Sequence, residues 1–244
     1  IDLETGNISV SEILKRIKFL KSKKEKISAL IATDYAGSPC DWESIKKIAR
    51  KYKLKLINDN CHAIGAKYQN TLKYAVKYAD LVTHSYHAVK NITTGEGGSV
   101  LSQNKAFIKK IKLLRTHGLN YYKGPKHKNL SSYDMQSLGF NYRITDFQCA
   151  LGTSQLKKLS KFIKKKRKIA SLYNREFKDD ARFVIPKEIA DNYHAYHLYP
   201  LLINFNIIKI TKKILYQKML KSKIKLQNHY LPMYRHSYYK KNFN

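Results

Sequence analysis

The sequence is poor in cysteine and has no long apolar run, and each shortage excludes a class of protein. Its three cysteines, Cys40, Cys61 and Cys149, form no C-x-x-C pair, which argues against a disulfide framework and against a zinc site. No apolar run approaches the roughly 20 residues that a bilayer-crossing helix needs. We therefore predict a protein of the reducing cytoplasm with no membrane partner.

Acidic residues are also scarce. The chain carries 17 Asp and Glu against 48 Lys and Arg, a formal net charge of +31. One hypothesis is a polyanion partner, either nucleic acid or an anionic membrane surface. No RNP, KH, zinc-finger or helix-turn-helix signature accompanies the lysines, so we favour a lysine bias spread over solvated helix faces. A basic nucleic-acid-binding protein remains the alternative from another functional class, and salt-sensitive binding would distinguish it.

The first hundred residues alternate between helical and strand patterns. Ser9 and Glu12 have the spacing of a capping box, and Asp41 can cap a second helix. The nearly continuous apolar run at 27–33 is typical of a strand that is buried on both faces. Further strands are predicted at 54–58, 80–83 and 99–101. This alternation indicates an α/β fold with a mostly parallel sheet.

The second half begins with a basic amphipathic helix after Asn104, followed by a polar segment at 119–132 that we interpret as a mobile surface loop. A long helix is predicted from about 145 to 177, and its charge run at 161–168 is interpreted as a solvated face. Beyond Phe183 the pattern becomes α+β. The expected elements there are a strand following 197–200, a helix at 211–221 and a strand-like piece at 224–230.

These patterns predict two units. Residues 1–155 are expected to form part of a large domain. Residues 156–244 are expected to form a linking helix and the beginning of a small α+β domain.

Polar side chains cluster where three of the predicted strands end, at 34–38, 59–62 and 83–90. Ligands of α/β sheets bind outside the carboxyl ends of the strands. Taken singly, Asp59 is best explained as a helix cap and His62 as an ordinary half-buried histidine. Taken together, an acid, an imidazole and Lys90 at neighbouring strand ends indicate a site. Burial disfavours the charged form of a lysine and lowers its pKa, and a lysine that forms a Schiff base needs such a lowered pKa.

Four motifs in order resemble the DegT/StrS-type sugar aminotransferases, which are pyridoxal 5'-phosphate enzymes with the aspartate aminotransferase fold (fold type I). The motifs are DNCHAIGA at 59–66, SYHAVKNITTGEGG at 85–98, RTHG at 115–118, and GFNYR at 139–143 with QCALG at 148–152. Segments 34–37, 192–202 and 229–234 are most similar to the branch of the family that acts in pseudaminic acid biosynthesis.

The resemblance implies roles for the two central residues. Lys90 matches the Schiff-base lysine, which holds the cofactor and then moves a proton between the amine-bearing carbon and the cofactor. Asp59 matches the carboxylate that faces the pyridine nitrogen and keeps it protonated, so that the ring can accept electrons.

The resemblance assigns five further residues. His62, where relatives often have Gln, would lie near the 3-oxygen of the cofactor, and Ser85 would donate to its phosphate. Asn141 would reach the phosphate of a partner subunit, which implies a homodimer with shared active sites. His87 and Arg143 would bind substrate, Arg143 through a carboxylate.

The implied reaction has two halves. Glutamate leaves its amine on the cofactor, and the amine then passes to C4 of a UDP-linked 4-keto-6-deoxy-N-acetyl hexose. A different nucleotide 3- or 4-keto sugar is the alternative substrate. The sugar dehydratases of the same family carry a histidine in place of the lysine, so Lys90 argues against that activity.

The ends of the chain depart from the family pattern. The N-terminal Gly-Thr or Gly-Ser phosphate cradle and the aromatic residue that stacks on the cofactor have no match in the sequence. The last part of the small domain has no match either. Our hypothesis at this point is a fragment that keeps the family's site residues but lacks helix-terminus donors for the phosphate.

Overall fold

The computed structural model describes residues 1–121 and 133–243. Its first half contains α1 (Val10–Ser22), β1 (Ala29–Thr33), α2 (Trp42–Lys51), β2 (Lys55–Asp59), α3 (Tyr74–Tyr78), β3 (Leu81–Ser85) and β4 (Gly98–Leu101). The four strands form one sheet in the order β1-β2-β3-β4. Neighbours among β1, β2 and β3 are parallel, and β4 is antiparallel to β3. The predicted mostly parallel α/β sheet is confirmed.

Both predicted caps form at the helices that pack on this sheet. The Ser9 hydroxyl accepts a hydrogen bond from the Glu12 N–H at 3.4 Å. The Asp41 carboxylate accepts one from the Ser44 N–H at 3.2 Å. Each cap satisfies a backbone donor that a helix leaves unpaired in its first turn.

The hydrophobic core lies between the helices and the sheet. The side chains of Trp42 and Ile45 on α2 are fully enclosed, as are Leu56 on β2 and Val82 on β3. The helices thus cover one face of the sheet with a closely packed apolar layer.

The prediction that the strand at 27–33 is buried on both faces is wrong. β1 is an edge strand, and Ile31 on it is 59% exposed while its neighbour Ala32 is buried. Only one face of β1 packs on described residues, and an apolar sequence run does not reveal whether a second layer covers a strand.

The second half contains α4 (Lys105–Leu114), β5 (Leu119–Tyr121), β6 (Tyr133–Met135), α5 (Asp146–Phe177), β7 (Phe183–Val184), β8 (Leu202–Ile203), α6 (Phe205–Ile208), α7 (Lys212–Lys221) and α8 (Ser237–Asn242). The long helix predicted from 145 to 177 is confirmed as α5. A reciprocal capping box between Thr145 and Gln148 fixes its start. Because α5 continues through residue 155, the division into two domains stays a prediction.

Two predictions for this half fail. Residues 119–121 form β5, which pairs with β6, whereas a surface loop was expected; residues 122–132 of that loop lie outside the described residues. The segment 224–230 takes no place in a sheet. Its side-chain pattern suits a strand, but a strand also needs a hydrogen-bonded neighbour, and the described residues supply none.

Among the described residues, no helix combines the length and apolarity that a membrane crossing requires.

Candidate active site at the carboxyl edge of the sheet

The parallel register brings the ends of three strands together. Asp59, the last residue of β2, is aligned with Thr33 of β1 on one side and Thr83 of β3 on the other. The segments that leave β1, β2 and β3 therefore start from one edge of the sheet, as the sequence predicted. Asp59 is the last residue of β2 and Ser85 the last residue of β3. His62 lies on the segment that follows β2, and Lys90 lies on the segment that follows β3.

Asp34, in the first of the three polar clusters, has a structural role. Its side chain is fully buried. One carboxylate oxygen accepts hydrogen bonds from the Cys40 N–H and the Trp42 indole; the other accepts from Asn58, Asn60 and the Tyr74 hydroxyl. Burial raises the pKa of Asp34, and these hydrogen bonds oppose that rise. Asp34 organises the ends of β1 and β2 from within the core.

Asp59 is half-buried and faces the loop that follows β2. Its Oδ1 accepts a hydrogen bond from the Cys61 N–H at 3.2 Å. The pKa of the Cys61 thiol is raised to about 11 by burial and by Asp59, while Lys90 acts in the opposite direction. The Asp59 carboxylate and the Lys90 ammonium thus both lie close to Cys61, whose thiol stays protonated and unreactive.

His62 is buried and held as a neutral imidazole. The Ala36 N–H donates to its Nδ1 at 3.3 Å, so the remaining proton lies on Nε2. Burial, followed by the positive charge of Lys90, lowers the pKa of His62 to about 4, and Asp59 opposes this shift. His62 can therefore offer one N–H donor at neutral pH. The charges of both Lys90 and Asp59 act on His62, so the three side chains lie near one another at this edge of the sheet.

His197 packs against His62 with ring centroids 4.5 Å apart. Its Nδ1 is buried and has no hydrogen-bond partner among residues 1–121 and 133–243. Burial, with contributions from His62 and Lys90, lowers the pKa of His197 to about 3. Sequence reasoning assigned it no role, although it belongs to the His-Leu-Tyr-Pro segment that supported the family resemblance.

Lys90 lies on a tight turn between β3 and β4. Its N–H donates to the His87 carbonyl at 3.0 Å. The Tyr86 carbonyl accepts from the Thr94 N–H and the Thr93 hydroxyl, both at 3.0 Å, which closes the base of the turn. The Lys90 side chain is half-buried, and its ammonium has no carboxylate within ion-pair distance among the described residues.

A glycine is required where this turn returns to β4. Gly97 has a φ of +150°, and a Cβ at this position would lie 2.5 Å from the Thr94 hydroxyl. The glycines of the motif thus allow a compact turn to carry Lys90.

Asn91 anchors the turn to the loop after β2, a role that sequence reasoning missed. Its buried side-chain amide donates to the carbonyls of His62 at 3.3 Å and Ile64 at 3.1 Å. Its Oδ1 accepts from the Lys166 ammonium at 2.6 Å. The only signal in the sequence is its place directly after Lys90, and asparagine is common in turns for local reasons.

The remaining assigned residues on β3 and its turn are more open. Ser85 ends β3, and its Oγ accepts the His87 N–H at 3.3 Å. The exposed His87 ring lies 3.7 Å from the Glu96 carboxylate. The Val89 N–H donates to Nδ1 of His87 at 3.4 Å, so both ring nitrogens of His87 have a contact, whereas the Ser85 hydroxyl can still donate to a ligand.

Asn141 and Arg143 lie apart from this group. Asn141 forms an isolated backbone bridge with Thr116, and the Arg143 guanidinium lies 2.9 Å from Nε2 of His117. Both side chains are exposed, and neither contacts Lys90 or Asp59 in the described part of the chain. The role of Asn141 in the site of another subunit requires such exposure, and the assignments of both residues stay predictions.

Comparisons with known proteins identify the family of the chain. The family model for the DegT/DnrJ/EryC1/StrS aminotransferases matches residues 1–244. The chain is 40% identical over 242 residues to UDP-4-amino-4,6-dideoxy-N-acetyl-beta-L-altrosamine transaminase of Campylobacter jejuni, covering 99% of this chain and 61% of that protein. It is 34% identical to the Helicobacter pylori protein of the same name, covering 98% and 60%.

Solved structures show the same fold. Helicobacter pylori PseC, an aminotransferase involved in the biosynthesis of pseudoaminic acid, superposes with a TM-score of 0.84 at 34% identity, over 98% of this chain and 60% of that one. The sugar aminotransferase Spr1654 of Streptococcus pneumoniae reaches 0.82 at 21% identity, covering 99% and 64%, and supports the fold alone.

The chain thus spans about 61% of the length of the curated relatives it matches. The predicted aminotransferase fold class is confirmed. With the family model matched from the first residue to the last, the chain belongs to the DegT/DnrJ/EryC1/StrS aminotransferase family.

Proposed function

We propose that the protein is a pyridoxal-phosphate-dependent aminotransferase that moves an amino group from glutamate to C4 of a UDP-linked 4-keto-6-deoxy-N-acetyl hexose. The observation that carries this proposal is the grouping of Asp59, His62 and Lys90 at one edge of the sheet, in a chain of an aminotransferase family. The three cysteines are free and fit a reducing compartment, so we place the reaction in the cytoplasm.

The residues present suit this cofactor at its reactive end. Lys90 offers an amine with no competing carboxylate among the described residues, Asp59 a half-buried anion and His62 a neutral N–H donor. When bound, pyridoxal phosphate supplies an electron sink that stabilises the carbanion left by deprotonation of an amine-bearing carbon. Ser85 is the described residue that we assign to its phosphate.

Each residue then has a distinct task. Lys90 holds and moves the proton at the amine-bearing carbon, because its amine stands on a turn that closes beside Asp59 and His62. Asp59 supplies the negative charge that favours a protonated ring nitrogen. His62 donates through Nε2 to an oxygen, and its low pKa keeps it neutral throughout the working pH range.

The choice of sugar rests on the relatives. Two of them, at 40% and 34% identity, are named as altrosamine transaminases. Escherichia coli GDP-perosamine synthase is 32% identical over 82% of this chain, which keeps another nucleotide keto sugar as the second candidate. Support for a nucleic-acid-binding function remains limited to the net charge.

A homodimer is part of the proposal. Around the start of α5, the side chains of Leu138, Tyr142 and Phe147 are 82%, 71% and 91% exposed. Large apolar side chains gathered beside Asn141 and Arg143 favour cover by a second copy, which would bring those two polar residues to the partner's site.

The test is transfer of an isotopically labelled nitrogen. Purified protein would receive pyridoxal phosphate, labelled glutamate and a panel of nucleotide keto sugars, with mass spectrometry of the products. We expect label at C4 of the UDP-linked sugar, loss of transfer in Lys90→Ala and retention in Lys105→Ala, an exposed lysine on α4. Absence of labelled sugar with every substrate would contradict the proposal.

A further inference from the structure

Helix α5 supports the turn that carries Lys90 at several points along its length. Near the start of the helix, the Gln148 amide donates to the Glu96 carbonyl at 2.9 Å. One turn later, a Cβ at Gly152 would lie 2.9 Å from the Thr94 methyl group, so the glycine permits close packing. Further along, Lys166 reaches Asn91, the residue after Lys90. The turn is therefore held against one rigid element.

The contact between Lys166 and Asn91 fixes which way the asparagine amide points. An ammonium ion can only donate hydrogen bonds, so Oδ1 of Asn91 must face Lys166. The NH₂ group then faces the carbonyls of His62 and Ile64, to which it donates at 3.3 and 3.1 Å. One cation thus determines the orientation of the amide that joins the Lys90 turn to the His62 loop.

Lys166 also has an unusual environment for a lysine in this chain. Its neighbours Lys164, Lys165 and Lys168 are exposed, whereas Lys166 is half-buried. In the described part of the chain no carboxylate lies within ion-pair distance of it. Burial lowers its pKa. A partly desolvated cation without a counter-ion is costly unless another contact offsets the cost, and the described contact is with Asn91.

We propose that Lys166 is a positioning residue that, through Asn91, fixes the Lys90 turn to the loop that carries His62. The proposal deepens the aminotransferase assignment and rests on it. The described hydrogen bond of Lys166 is to Asn91, so we assign it an action through that residue and not on the reacting atoms. Its function is to keep the Lys90 amine aligned with Asp59 and His62 when the cofactor binds.

Removing the ammonium should weaken that alignment. In Lys166→Met, a side chain of similar length, Oδ1 of Asn91 loses its charged donor and the amide is free to rotate. We expect affinity for pyridoxal phosphate to fall about tenfold, equivalent to about 1.4 kcal/mol. We also expect a smaller visible circular dichroism signal for each bound cofactor, because that signal depends on a fixed orientation of the chromophore.

The experiment compares Lys166→Met with Lys166→Arg, whose guanidinium can still donate to Asn91, and with Lys165→Met as the exposed control. Cofactor affinity, visible circular dichroism and the thermal midpoint of the cofactor-free protein would be measured for each. Loss in Lys166→Met with rescue by Lys166→Arg and no change in Lys165→Met supports the proposal. Should Lys166→Met not fold, Lys166→Leu, which also lacks a hydrogen-bond donor, replaces it with the same expected direction.

A double-mutant cycle adds a second criterion. Since Lys166 acts through Asn91, the effects of Lys166→Met and Asn91→Ala on cofactor affinity should not add when combined. Wild-type binding with an unchanged signal in Lys166→Met, or full additivity in the cycle, would overturn the positioning role and leave the aminotransferase assignment standing. Failure of the wild-type protein to form the Lys90-dependent cofactor signal would overturn both.

Discussion

Asp34 and Asp59 lie at the carboxyl ends of neighbouring strands, and their positions in the sequence do not distinguish a structural acid from a site acid. Their burial and hydrogen bonds in the structure do. Asp34 is enclosed and its carboxylate is saturated by donors from the indole, amides, hydroxyl and backbone around it. Asp59 is half-buried and accepts one backbone hydrogen bond. A site acid needs free acceptor capacity and access to a ligand, so we assign Asp34 to stability and propose Asp59 as the acid of the site.

This contrast predicts different effects on stability. Replacing Asp34 with Ala leaves the Trp42 indole and Tyr74 hydroxyl buried without an acceptor, so we expect a loss on the order of 3 kcal/mol in the free energy of unfolding. The half-buried Asp59→Ala variant serves as the control, with a loss below about 1 kcal/mol. Urea denaturation measures both, and equal losses would contradict the assignment.

At the scale of elements, α5 shows which features of a helix the sequence predicts and which it does not. Its capping box and length were predictable from Thr145, Gln148 and the helical periodicity. The prediction that its charge run at 161–168 forms a solvated face is wrong for Lys166 and Arg167, which are half-buried. The buried residues Ile163 and Ala170 stand seven positions apart, and Lys166 and Arg167 fall between them on the same face. These four residues have the i, i+3, i+4 and i+7 spacing of one helix face. Because two of them are lysine and arginine, the apolar pattern in the sequence does not reveal that this face is buried.

Arg167 is a second charged residue on the inner face of α5. Its guanidinium binds the Glu188 carboxylate through two nitrogens, at 2.6 and 3.2 Å, and donates to the His194 carbonyl at 2.9 Å. The helix therefore holds the segment 188–199 as well as the Lys90 turn. A charge on the inner face of a helix is retained when such specific partners satisfy it.

The inner face of α5 can be tested with two isoleucines of the same helix. Ile163 is 2% exposed and Ile169 is 51% exposed. Ile163→Ala should destabilise the protein by about 2 to 4 kcal/mol because it leaves a cavity, and Ile169→Ala by less than about 0.5 kcal/mol. Urea midpoints compare the two variants, and similar losses would show that α5 packs differently.

Other parts of the fold and site could not be predicted from one sequence. The exposed face of β1 and the unpaired segment 224–230 depend on which layers and strands lie nearby, and side-chain patterns do not encode that. The Lys166–Asn91 contact joins residues 75 positions apart. Asp59, His62 and Lys90 could be grouped in advance because parallel strands bring their carboxyl ends to one edge.

At the scale of the whole molecule, two buried and two half-buried histidines make stability depend on pH. Burial lowers the pKa of His62 and His84 to about 4 and that of His194 and His197 to about 3. The unfolded chain binds protons at these residues near pH 6.5. Between about pH 6.5 and 4 the unfolded state therefore binds more protons than the folded state, and stability rises with pH.

We accordingly expect the urea midpoint to fall when the pH is lowered from about 7 to about 5. The raised pKa of Asp34 acts in the opposite direction, because protonation of that acid favours the folded state. One carboxyl opposes four imidazoles, so the net slope stays positive. His62→Gln should reduce the slope, and a midpoint that is constant or higher at the acid end would show that these imidazoles are protonated in the fold.

The most direct measurement of the central claim asks which lysine bonds to the cofactor. The protein would be mixed with pyridoxal phosphate and reduced with borohydride, which converts the lysine–cofactor bond to a stable secondary amine. Peptide mass spectrometry then locates the modification. Our account predicts stoichiometric labelling of Lys90 in a chain with 48 lysines and arginines, and loss of that label in Lys90→Ala. Labelling spread over exposed lysines, with Lys90 no more modified than Lys105, would contradict it.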